Sequence, residues 1–140
     1  MELEIRNSQF AIEVEEKFVM KTENVILEKT KQFALRIIKL YRFLAEEKKE
    51  YVLSKQIIRS GTSIGANVRE AIRGQSKADF YAKMYIALKE CSETEYWLEL
   101  LFESGYIEQN AFESIYTDCK EIIKILMAIT KKQKEDSSVK

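Results

Sequence analysis

The run Phe112-Glu113-Ser114-Ile115-Tyr116-Thr117-Asp118-Cys119-Lys120-Glu121-Ile122-Ile123-Lys124-Ile125-Leu126-Met127-Ala128-Ile129 decides the fold class. Apolar residues return at Phe112, Ile115, Tyr116, Cys119, Ile122, Ile123, Leu126 and Ile129, in steps of three and four. That is the repeat of one helix face, and a strand's alternation cannot produce it. The pattern predicts a helix from about Glu108 to Lys134.

Working outward, three more segments repeat the rhythm. The first, from about Asn24 to Lys48, turns Ile26, Phe33, Ile37, Leu40, Tyr41 and Leu44 to one side. The second, from about Tyr51 to Arg73, carries Leu53, Ile57, Ile64, Val68 and Ala71. The third, from about Lys77 to Glu103, carries Phe80, Met84, Ala87, Leu88, Cys91, Leu98 and Leu101. The chain has no proline and only four glycines, so little interrupts long helices. Gly74 and Gly105 stand where a left-handed residue ends helices two and three. Ser76, with Asp79 three residues later, reads as the start of the third. Only the charged turn Glu46 to Glu50 separates the first two. Short connections set sequential helices antiparallel. The expected fold is therefore all-α, an antiparallel up-down-up-down four-helix bundle over residues 20–134. Residues 1–19, with a brief alternation at Phe10, Ile12 and Val14, read as an N-terminal arm of unknown role. Residues 135–140 read as a charged flexible tail.

Composition narrows the function. Apolar residues are 46% and charged residues 33% of a 140-residue chain, as in a globular domain. Basic and acidic side chains number 23 each, but unevenly: residues 51–90 hold seven basic and three acidic, residues 91–140 six and ten. Such a dipole suits an acidic partner or pairing between copies. Cys91 and Cys119 lack metal-site spacing and read as reduced core thiols of a cytoplasmic protein. No apolar run reaches the roughly 20 residues of a membrane span, and no signal peptide is evident.

The absence of histidine removes most catalytic options. Ser-His-Asp and Cys-His chemistry lack their base, and Glu-x-x-His di-iron sites lack a ligand. A zinc site would have to rely on two cysteines and carboxylates. Glu90, Glu93 and Glu99 read as solvated or salt-bridged helix faces. No catalytic residue, metal site or cofactor is expected, and the chain reads as a binding module.

The second helix carries the candidate site. On its wheel Lys55, Arg59, Arg69, Arg73 and Lys77 fall within an arc of about 80°. Thr62 and Ala66 fill the middle, so a flat partner can approach, and phosphates suit guanidinium groups. The competing reading is a solvated face, or one paired with acids of helix three, helix four or another subunit. Gly61 and Gly65, one turn apart, leave a groove for close backbone packing, with Ser60, Ser63 and Asn67 able to hydrogen-bond across it. Whether the facing helix belongs to the same chain stays open. Tyr81, Tyr85 and Trp97 fall off the third helix's inward stripe and read as subunit-interface residues or as residues covered by adjacent helices.

The stretch Tyr51-Val52-Leu53-Ser54-Lys55-Gln56-Ile57-Ile58-Arg59-Ser60-Gly61-Thr62-Ser63-Ile64-Gly65-Ala66-Asn67-Val68-Arg69-Glu70-Ala71 resembles the signature of the 23S rRNA intervening-sequence protein family. Phe80-Tyr81 and the run Ala87 to Leu98 resemble its third helix. The resemblance covers about residues 20–132. It implies a bacterial four-helix bundle assembled as a homopentameric ring. It also implies kinship with the accessory variability protein of diversity-generating retroelements, which binds nucleic acid and a reverse transcriptase. Two functions follow as expectations: an oligomeric module contacting RNA or DNA, or a protein–protein scaffold or adaptor. A nuclease using carboxylate-bound metal is the distant third.

Overall fold

The computed structural model describes the backbone of residues 2–138 and the side chains of residues 8–133. Among these, the chain forms four helices and no strand: α1 (Glu2–Glu46), α2 (Leu53–Ile72), α3 (Lys77–Glu103) and α4 (Gln109–Ser138). Each helix packs against the next, and α4 returns to α1, closing a bundle. Among the described residues no helix is long and apolar enough to cross a membrane.

The core is the set of stripes read from the sequence, with local exchanges. Ile26, Phe33, Ile37 and Leu44 of α1 meet Ile57, Ile64, Val68 and Ala71 of α2, Met84, Ala87, Cys91, Leu98 and Leu101 of α3, and Ile115, Cys119, Ile122 and Leu126 of α4. Truncating a fully buried member such as Phe33 to alanine would cost about 3–5 kcal/mol. Leu53, Phe80 and Leu88, expected inside, are half-buried at the rim. Tyr81 and Thr94 take core positions on α3 instead.

The helix ends show which local signals hold. Ser76 caps α3, accepting from the Asp79 backbone N–H at 3.0 Å. Gly105 ends α3 with φ +86°, and the Tyr106 N–H returns to the Leu101 carbonyl at 2.9 Å. Gly74 is a correction: its φ is not positive. Arg73 ends α2 in a right-handed conformation, and Gly74 N–H lies 3.1 Å from the Ala71 carbonyl. A Cβ there would stand 3.1 Å from that same oxygen, so close approach rather than handedness suits glycine.

The start of α2 is held by a residue that carried no sequence signal. The Glu50 carboxylate accepts from the backbone N–H groups of Val52, Leu53 and Ser54 at 3.2, 3.0 and 2.8 Å. Burial pushes this carboxyl upward, but the backbone hydrogen bonds outweigh it and hold it below the ordinary carboxylate range.

At the start of the chain, the arm is helical and continuous with the bundle, since α1 runs without a break from Glu2 to Glu46. The alternation of Phe10, Ile12 and Val14 lies on this helix, with all three exposed. The tail expected at 135–140 begins within α4, whose backbone is helical to Ser138; the last two residues lie outside the described ones.

Candidate functional site

The α1–α2 contact is closed at one end and open at the other. A Cβ on Gly61 would fall 2.8 Å from Ile37, so only glycine lets the two helices approach there. A Cβ on Gly65 would meet Thr30 at 3.4 Å, an ordinary contact. The helix facing both glycines is therefore α1 of the same chain. Beyond Gly65 the surface falls into a groove of about 550 Å³. It is lined by the small residues Ala34, Thr62, Gly65 and Ala66 and by the exposed cations Lys31, Arg69 and Arg73.

The five cations projected onto one stripe meet different fates. Arg69 and Arg73 come together at the groove, with no ion-pair partner among the described residues. Lys55 is exposed near the other end of α2 and does not line the groove. Arg59 is engaged by α3: one guanidinium nitrogen lies 3.2 Å from Glu90, and the other holds Glu93. The Glu93 hydrogen bond raises the Arg59 pKa, and that bond lowers the Glu93 pKa in turn. Lys77 is a correction, since α2 ends at Ile72 and Lys77 opens α3, so the wheel that placed it on the stripe does not extend to it. Lys31 escaped a reading made one helix at a time, because its proximity to Arg69 and Arg73 exists only once α1 and α2 pack. Glu70 also lines the groove and is held by Lys83 at 3.0 Å.

The hydroxyl and amide residues divide similarly. Ser60 is fully buried, and its hydroxyl meets that of Thr94 on α3 at 2.9 Å. Ser63 and Asn67 bond within α2, to the Arg59 and Ser63 carbonyls at 2.6 and 2.8 Å. Neither reaches across a helix contact.

The off-stripe aromatics are largely covered within the chain. Tyr81 is buried and meets Phe80 edge to face at 5.3 Å. Tyr85 is half-buried, its hydroxyl 3.5 Å from the Thr130 carbonyl of α4. Trp97 packs against the core and donates to Glu93 at 3.1 Å. Tyr96, whose ring lies 5.3 Å from that of Trp97, is exposed.

Cys91 and Cys119 face each other across α3 and α4, sulfur to sulfur at 3.6 Å, both free and fully buried. The hydrogen bond with Cys91, then burial, pushes the Cys119 thiol far up, so it stays neutral. Among the described residues no group of three or more potential ligands could hold a metal ion.

The fold and site define a helical-bundle protein with a cation-lined surface groove. The chain belongs to the 23S rRNA-intervening sequence protein family, whose model matches residues 22–128. It is similar to a protein of unknown function from the S23 ribosomal protein family of Bacteroides thetaiotaomicron VPI-5482, with 57% identity and a TM-score of 0.77. That match covers 79% of this chain and 98% of the other. No curated protein matches the chain.

Proposed function

We propose that this chain is a non-catalytic, oligomeric binding module whose α1–α2 groove takes the phosphates of RNA or DNA. The observation that carries the reading is the pair Arg69 and Arg73, without acidic partners, beside Lys31 and a lining of small residues. A small lining lets a backbone approach, and guanidinium groups match phosphate in bidentate geometry. The bundle is an antiparallel up-down-up-down one. Its cross-helix pairs support this, since Gly61 with Ile37 and Gly65 with Thr30 run in opposite residue order. Cytoplasmic homopentamers are the expected working form, on the strength of the family resemblance.

Binding should weaken as salt rises, and each lost cation should flatten the log–log slope by about 0.9 on duplex DNA or about 0.7 on single strands. Arg69→Ala with Arg73→Ala should lower affinity for all sequences alike while circular dichroism stays helical. No gel shift of the wild-type protein with RNA or duplex DNA at low salt would remove the reading. A scaffold or adaptor would then take its place, a reading favoured by the engagement of Arg59 with Glu90 and Glu93 inside the chain.

A further inference from the structure

Residues 8–21 of α1 differ from the rest of the surface. Phe10, Ile12, Val14, Phe18 and Met20 are each half or more exposed, within three turns of one helix. Isolated exposed apolar residues need no explanation, but a run of this density does. The stretch also precedes the residues that the family model matches, so it is an addition to the shared bundle. Phe10, Val14 and Phe18 recur at steps of four and form one stripe. Ile12 and Val19 follow the separate line of the core face.

Three observations say what covers the Phe10 stripe. First, charge on one flank of the stripe is ordered, with Glu13 followed one turn later by Lys17. An acid followed by a base complements itself when two copies run in opposite directions. Second, Glu13 and Lys17 lie on the same flank of the stripe, and same-side flanks meet in an antiparallel helix pair. Neither has an ion-pair partner among the described residues. Third, an apolar cleft of about 400 Å³ opens beside Phe18, walled by Val19, Phe80, Ile125 and Ile129. Lys132 lies 5.8 Å from the Phe18 ring at that cleft.

We propose that residues 8–21 form an interface with a second copy of this chain, the two α1 extensions running antiparallel. Setting Glu13 of each copy beside Lys17 of the other interleaves Phe10, Val14 and Phe18 of the two chains. The same register sets each Phe10 level with Met20 of the other copy, beside the Phe18 that edges its cleft. This pairing is independent of the groove and of any bundle-to-bundle contact.

The test uses the full chain and measures mass by sedimentation velocity. Phe10→Glu with Val14→Glu should halve the mass while helicity is kept, because both side chains are exposed. Glu13→Lys alone should weaken the association about tenfold, since two symmetry-related pairs turn repulsive. Adding Lys17→Glu to that same chain should restore it. An unchanged mass in the double glutamate variant overturns the proposal and leaves the stripe to the chain's own last residues or to a different protein. A swapped Glu13→Lys, Lys17→Glu chain no tighter than Glu13→Lys alone overturns the antiparallel arrangement.

Discussion

The two ends of α2 carry the same chemistry on the same face and do opposite things with it. Near the start, Arg59 meets Glu90 and Glu93 of α3 and is used up inside the chain. Near the finish, Arg69 and Arg73 line an open groove together with small residues. The glycines follow the same division, Gly61 sealed against Ile37 and Gly65 only touching Thr30. A helical wheel gives the direction of a side chain, but the neighbouring helix decides whether that direction ends in a partner or in solvent.

The sharpest way to break this comparison is at the glycines. Gly61→Ala should destabilise by about 1–3 kcal/mol, because the new methyl overlaps the branched Ile37 side chain. Gly65→Ala has room and should gain up to about 1 kcal/mol from helix propensity. Urea unfolding of both variants reads the difference directly, and equal costs would show that the contact is uniform along its length.

Next in size is the cap at the start of α2. Glu50→Ala should cost about 1–2 kcal/mol, since three backbone amides lose their acceptor. The folded carboxyl sits below its ordinary range, so its contribution is present above the unfolded pKa and is lost as pH falls through the folded one. Stability measured from neutral pH into acid should therefore decline less steeply in Glu50→Gln than in wild type. An unaltered acid limb would remove Glu50 as its source.

The smallest effect separates the arginines. Arg59→Ala should cost about 0.5–1 kcal/mol, a value kept low because the guanidinium is half exposed, and high salt should shrink the difference. Arg69→Ala should change stability by no more than about 0.5 kcal/mol. A larger loss at Arg69 than at Arg59 would reverse the assignment of which end is engaged.

What was legible in the sequence follows the same logic. Helix periodicity, Ser76 and Gly105 depend on residues close in the chain, and these signals located all four helices and two of their ends. Glu50 was missed because a glutamate reaching forward to three amides is not among the usual capping residues, and the turn read only as charged. Gly74 misled, since a glycine at a helix end serves close approach as well as a left-handed turn. The arm carried no secondary-structure signal, because Phe10, Ile12 and Val14 alternate over too few residues to reveal the helix that carries them. The groove could not be read from α2 alone. Lys31 is 38 and 42 residues from the arginines it joins, and only packing against α1 brings them together.

The facing thiols at the centre of the bundle give the chain a built-in reporter. Cys91 and Cys119 are its only cysteines and are fully enclosed, so a thiol reagent in solution can modify them only when the α3–α4 seam parts. The rate of their modification in the unmutated protein is then a clock for breathing of the bundle, and a cysteine engineered onto the surface would take a label in seconds while that clock still reads zero.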